Sequence, residues 1–529
     1  MGKTPGMAAL GRLVQAARHC ARTGESAAEA LAQEGPRDSG RRKLLASAVA
    51  GAVLAPMAGG VGQAWARAAG GDVGIVGGGL AGLACADALA AKGIAAHVYD
   101  AASRVGGRCW SLRGFFPGQV AERGGEFIDT SHSAMRGYAN AFGLQLEDVS
   151  KGPGELFYNF DGRNVPEAQV VSEFRAFVDA IRPDMRKLGY PTANSFSEFD
   201  RSLDMMPLDQ YLASRGAGPL LRQVVEVAYT IEYGLAASQL SAIAFLRFIH
   251  ADKRSKFTPF GVFSDERFHV VEGNDRIASG IAARLPRQPQ LATRLVAVAK
   301  RASGRILLTF DTPGGTQQRE HDAVVLTLPF PILREVDLGA SLGLPAWKLR
   351  AIRESVLGDN SKLMVGFTEP YWYTRLSGNG GGYSDRAHLQ NTWETNPLAA
   401  NETRAVITDY TGDALARSLD PSRPAADAAR FLDELEHALP GANIYARRDA
   451  RGQPVAFCEN WTRNPLHRGA YTANRPGYFT TICDNEAKPV DTLFFAGEHT
   501  SSFYEWQGFM EGAVLSGQRA AVEVVRRLR

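Results

Sequence analysis

The chain has 529 residues, of which 45% are hydrophobic, and 59 Lys and Arg stand against 56 Asp and Glu. That length exceeds a single core and implies two large units. A net charge of +3 without a basic block interleaved with aromatics excludes nucleic acid as a partner, and five cysteines with no two at ligand spacing argue against a metal site.

The first 68 residues differ from the rest. Ser39-Gly40-Arg41-Arg42-Lys43-Leu44-Leu45 precedes an uncharged run over 46–66, rich in Ala, Gly and Val, and then Ala66-Arg67-Ala68. Twin arginine, weak apolar core and small-residue cleavage site, in that order, predict a signal read by the twin-arginine export machinery and a periplasmic or secreted mature protein. The run carries too much Gly and Ala for a comfortable spanning helix. Residues 7–32 have helical spacing. Residues 1–68 hold nine Lys and Arg against four Asp and Glu, so their removal leaves the remainder at −2. Of the cysteines, Cys85 reads as a small buried apolar residue, and Cys458 with Cys483 is the one pairing left open in an oxidising compartment.

Past the leader, residues 72–76 read as a short strand and 80–91 as an Ala/Leu-rich helix, with Gly77, Gly79 and Gly82 in Gly-x-Gly-x-x-Gly order between them. The first glycine permits a tight turn, the second a close approach of backbone to phosphate, and the third the packing of helix on strand. Gly93 ends the helix, 94–99 is a second strand, and Asp100 at its tip stands where an acid meets a ribose hydroxyl, which argues against a 2′-phosphate. Next comes the basic loop Arg104-Val105-Gly106-Gly107-Arg108, whose guanidinium and backbone donors suit phosphate oxygens. Glu122-Arg123-Gly124-Gly125-Glu126-Phe127 follows.

Helical patterns dominate 131–264, notably over 220–233 and 240–250. Strands return over 268–272, 295–299, 306–310 and 323–328, with a helix over 277–285. Strands over 364–367 and 404–408 lie in the next block. Near the end, the apolar strand 493–496 runs into Gly497-Glu498-His499, and Gly508-Phe509-Met510-Glu511-Gly512-Ala513 opens a terminal helix over 512–527. Two ends that jointly enclose one dinucleotide point to a flavoenzyme. The fold class expected is α/β: a Rossmann-like nucleotide domain assembled from 69–130, 265–331 and 456–529, with an α+β substrate domain inserted over 131–264 and 332–455.

These segments resemble the flavin-containing amine oxidases across roughly residues 70–529, most specifically at 76–82, 104–108, 124–127 and 495–520. The resemblance implies non-covalent FAD, because Ala470 stands where the covalently flavinylated members carry a cysteine. It implies cofactor contacts at Gly77, Gly79, Gly82, Asp100, Arg104, Gly106, Arg108, Gly125, Glu126, Val296, Gly497, Glu498, Phe509, Met510 and Ala513. It implies a substrate cage between Tyr471 and Phe509, where monoamine oxidases have tyrosine at the second position, and a Lys362 that holds a water near flavin N5. Asp129, Tyr229 and Tyr233 are candidate substrate contacts. Tyr229, Glu232 and Tyr233 share one helical face, which serves equally as a pocket wall or as a core stripe. Glu126 and Phe127 follow the glycine pair where amino acid oxidases typically place an arginine, which favours an amine over an amino acid.

The implied reaction is hydride transfer from an amine to flavin N5, giving an imine that hydrolyses to aldehyde or ketone, with O2 reduced to H2O2. An L-amino acid oxidase, an amine dehydrogenase using a periplasmic cytochrome, and a flavin-binding protein without turnover remain alternatives. A homodimer is left open.

Overall fold

In the computed structural model, residues 71–152, 154–249, 264–398 and 404–529 are described. The expected leader, its helical 7–32 segment and its export signal lie outside the described residues. Ala68–Arg529 form one compact unit, and among the described residues no helix is long and apolar enough to cross a membrane.

The nucleotide-binding core is a four-stranded parallel sheet in the order His97–Tyr99, Val73–Val76, Ala323–Leu326, Leu493–Phe495. Its strands are short, continuous apolar runs because both faces are covered. Every residue of Val73–Val76, Ala323–Leu326 and Leu493–Phe495 is buried. One cover is a pair of helices, Leu80–Ala90 and Met510–Leu528, one from each end of the described chain. They meet backbone to backbone: a Cβ on Gly517 would stand 2.0 Å from Ala81 O. A second sheet is made of Gly315–His321, Ile306–Thr312 and Arg294–Lys300, which lie between the second and third nucleotide strands in sequence, and Asp337–Leu338, which follows the third.

The larger sheet has seven strands, in the order Ala456–Asn460, Asn360–Phe367, Ala405–Gly412, Leu389–Glu394, Gly378–Arg386, Glu155–Phe160, Arg163–Asn164. Helices Glu167–Lys187, Pro219–Tyr233 and Ala242–Phe248 bury their apolar faces in the main core. Ala456–Asn460, expected to open the third nucleotide segment, pairs instead with Asn360–Phe367 in this sheet. Its alternate residues Ala456 and Cys458 pack into the cluster around Phe431 and Trp372, which explains the placement. Cys85, Cys109, Cys458 and Cys483 are free and buried.

The expected strands over 364–367 and 404–408 prove longer, Asn360–Phe367 and Ala405–Gly412. The added residues are mainly polar, and their register sets Lys362 opposite Tyr410. Those two residues belong to the site.

Candidate active site

The glycine turn is built as its motif requires. Gly77 lies at φ +112° and donates its N–H to Tyr99 O at 2.7 Å. A Cβ on Gly82 would stand 1.9 Å from Gly77 O, so any other residue would force the helix off its strand. Over Gly79 a Cβ would meet nothing nearer than Gly107 Cα at 4.0 Å, which leaves an open cradle. Helix Leu80–Ala90 has no side-chain cap, so its first N–H groups are available to an anion. Gly106, at φ +103°, donates its N–H to Gly78 O at 2.8 Å and docks the second glycine loop on the first. A diphosphate fits these residues.

The charged residues near the cradle mostly shape it. Asp100 accepts from Gly78 N–H at 2.5 Å on one oxygen and from Ala102 N–H at 2.7 Å on the other, so its carboxylate fixes the turn. Arg104 donates to Val105 O and Gly107 O of its own loop and lies on the Trp110 ring, 3.8 Å from its centroid. Arg108 reaches across the chain to Glu498 Oε1 at 2.8 Å and Ala470 O at 2.5 Å. The other oxygen of Glu498 accepts from the Thr472 hydroxyl at 2.7 Å and Gly508 N–H at 3.1 Å. Burial opposes the ionised form of Glu498, yet Arg108 and His499 beside it hold its carboxyl below the usual range. Val296 is half-buried on Arg294–Lys300, and Thr293 just before that strand donates its N–H to Asp100 O.

The far end of the cradle is the start of helix Met510–Leu528. Phe509 is its N-cap residue and offers no side-chain cap, and Ala513 N–H closes the first turn on Phe509 O. The free N–H groups ahead of Ala513 and the positive end of the dipole suit a ring that gains electrons. Gly497, at φ +123°, is anchored by its N–H on the Ser516 hydroxyl at 2.9 Å. Gly125 faces Met510, whose Cγ and Sδ would each stand 2.8 Å from an added Cβ.

Lys362 departs from expectation. Its ammonium donates to Glu122 O at 3.0 Å, Gly124 O at 2.9 Å and Glu126 Oε2 at 2.5 Å. Three protons meet three acceptors, so none is left for the expected water; the lysine instead pins the glycine turn from behind. Glu126 takes Trp393 Nε1–H on its other oxygen at 2.9 Å. Trp393 packs on Tyr410, and Tyr410 donates its hydroxyl proton to the Tyr471 hydroxyl at 2.9 Å. The ring of Tyr471 lies against Gly508, the neighbour of Phe509. Burial first, then Tyr410 and the negative charges of Glu232 and Glu266, raise the Tyr471 hydroxyl well above its ordinary value, so it stays protonated.

Carboxylates collect on this side. Glu266 keeps exposed surface, and crowding by the surrounding protein together with Asp129 and Glu126 pushes its carboxyl up to about 7. Burial raises Glu232 as well, aided by Glu266 and Asp129. Asp129 is pushed up to about 6 by burial, while Glu266 N–H and the Ser264 hydroxyl donate to its Oδ1. Tyr229 corrects the sequence reading: it is fully buried, with Tyr233 and Phe245 as ring neighbours, and belongs to the core stripe. Tyr233 is 6% exposed on the same face.

Residues 80–525 match the model of the family described as flavin containing amine oxidoreductase. The chain belongs to that family. This amine oxidoreductase is a flavoprotein. It is 23% identical over 467 residues to a pseudooxynicotine dehydrogenase of a Pseudomonas species, covering 87% of each chain. It is 23% identical over 480 residues to an L-amino-acid oxidase of Protobothrops flavoviridis, covering 85% of this chain and 88% of that one. Among solved structures, a wild-type putrescine oxidase bound to putrescine superposes with a TM-score of 0.73 at 20% identity, over 86% of this chain and 99% of the other.

Four residues that the sequence reading passed over shape the amine oxidoreductase site. Trp393 and Tyr410 sit on strands without a motif of their own. Glu266 lies just before a predicted strand, and its position shows only when Asp129 accepts its N–H. His132 carried one visible signal, a lone histidine ahead of a helix seven residues past Gly125.

Proposed function

We propose that the chain oxidises a cationic amine, held between the rings of Tyr471 and Phe509, with O2 as electron acceptor. The observation that carries this reading is the charge of the wall: Glu126, Asp129, Glu232 and Glu266 act on one another and on the Tyr410–Tyr471 pair. Carboxyls raised by one another ionise most readily against a cation, so such a wall favours an ammonium group over the carboxylate of an amino acid. Arg247, a guanidinium on helix Ala242–Phe248, donates to the carbonyls of Leu188 and Gly189. The likeness to a putrescine oxidase supports an amine with a second cationic group, against which the raised carboxyls of Glu232 and Glu266 would give up their protons and pair.

Tyr471 and Phe509 present ring faces that hold the nitrogen and its carbon in one plane of approach. The raised carboxyl of Glu266 is matched to accept the proton that the ammonium must lose near neutral pH. Bound FAD, held by the glycine cradle and the start of helix Met510–Leu528, supplies the acceptor for two electrons and a proton equivalent. Ala470 offers no thiol, so retention is non-covalent. Arg41 and Arg42 support twin-arginine export to the periplasm; a lysine pair in their place would leave the protein in the cytoplasm.

The test is anaerobic mixing with putrescine, tyramine and L-amino acids while the visible flavin band is followed. Amines bleach it and L-amino acids do not; the reverse order would overturn the reading. The relative named as a dehydrogenase makes the acceptor a separate question, answered by oxygen uptake without an added acceptor.

A further inference from the structure

His132 has no exposed surface, and no motif assigns it a role. Its ring meets Phe509 edge to face, with centroids 5.4 Å apart and an interplanar angle of 69°. It meets Trp506 in the same manner at 4.7 Å and 87°, and Trp506 meets Phe509 at 5.8 Å and 87°. Three rings therefore brace one another, and Phe509 is the member that reaches the substrate.

The histidine is itself held. Its Nδ1 accepts Asp129 N–H at 2.9 Å, which puts the proton on Nε2, 3.4 Å from Asp129 Oδ2. Burial lowers its pKa to about 4, so the ring is neutral where the enzyme works. His132 is also the N-cap residue of helix Ser133–Ala141, as Phe509 is of Met510–Leu528. The two helix starts are clasped: Glu511, in the first turn of the terminal helix, accepts Ala134 N–H and Met135 N–H, each at 2.8 Å. The orientation of Phe509 is thus set from the segment that follows the Gly124–Gly125 turn.

We propose that His132 is a positioning residue for amine oxidation, fixing the Phe509 ring that forms one wall of the substrate cage. This rests on the reading of Tyr471 and Phe509 as that cage. The dependence of rate on placement is steep, since a misplacement of about 1 Å can cost on the order of a hundredfold. His132→Ala removes the brace. His132→Phe restores an edge toward Phe509 and Trp506 while losing the acceptor for Asp129 N–H and the Nε2–H that faces Asp129 Oδ2.

The experiment compares anaerobic flavin reduction by putrescine with reoxidation by O2 in both variants, in Phe509→Ala and in the His132→Ala/Phe509→Ala pair. His132→Ala is expected to slow reduction by roughly tenfold or more, to leave reoxidation and FAD content unchanged, and to be largely rescued by His132→Phe. Affinity for tetramethylammonium, a cage ligand with no lone pair to support oxidation, should weaken in parallel. In the Phe509→Ala background the histidine change should add nothing. An additive double variant, or equal losses in reduction and reoxidation, would overturn the proposal. If His132→Ala loses FAD, the same comparison is made with His132→Phe against Phe509→Ala. A Phe509→Ala variant with unaltered reduction would refute the cage itself.

Discussion

Removing the negative charge of Glu126 tests the buried network behind the glycine turn. Lys362 and Glu126 are 5% and 3% exposed at the side chain. Glu126 accepts Lys362 on one oxygen and Trp393 on the other. In Glu126→Gln only one oxygen can accept, so either the ammonium or the indole N–H faces an amide donor. Lys362 keeps its two backbone carbonyls but loses its counter-charge. Breaking a buried pair from one side costs about 3–5 kcal/mol. For a compact unit of roughly 460 residues, at about 2 cal/mol/K of unfolding entropy per residue, that is a drop in Tm of about 3–5 °C. Differential scanning calorimetry of the FAD-loaded protein measures it. Glu126→Gln with Lys362→Met removes both charges, and its loss should be well below the sum of the two single changes. A shift under about 1 °C in the single variant, or strict additivity in the pair, would refute the network.

Other outcomes follow from the same geometry. Gly82→Ala meets Gly77 O and should yield poorly folded, colourless protein, whereas Gly79→Ala has room in the protein and should fold with unchanged apo-protein Tm but weakened FAD binding, read by flavin titration. Acid precipitation should leave the yellow colour in the supernatant, because residue 470 is alanine; colour in the pellet would disprove non-covalent binding. Glu266, protonated below its pKa of about 7 and anionic above it, should make kcat/KM for a diamine rise through that pH more steeply than for a monoamine, and Glu266→Gln should flatten the difference. His132 and His499, both lowered by burial to about 4, bind protons in the unfolded chain before the folded one, so stability present above pH 6.5 is lost as pH falls toward 4. Each contributes about 2 kcal/mol of that loss by pH 5, seen as a falling Tm.

The nucleotide half was legible because its constraints are local. A turn that needs three glycines, strands covered on both faces and an acid at a strand tip leave marks in adjacent residues. The substrate half left fewer. Asn360–Phe367 and Ala405–Gly412 look short in the sequence because Asn360, Ser361, Lys362, Asp409 and Thr411 interrupt the apolar run. Those interruptions are where the sheet turns toward the site, and the pairing of Lys362 with Tyr410 exists only once the register is set. Gly378–Arg386, with four glycines, has no strand signature and is held by its neighbours on both sides. Partners also hide roles: nothing in the sequence shows that three acceptors surround Lys362.

The parallel sheet draws its outer strand from Leu493–Phe495, last in sequence of its four strands, while Val73–Val76 is the first. A nascent polypeptide emerging from the ribosome therefore carries the glycine turn hundreds of residues before it can carry a finished flavin pocket. Maturation must wait for this last strand, and a stop codon ahead of Leu493 would yield a molecule with the glycine turn and an unfinished sheet.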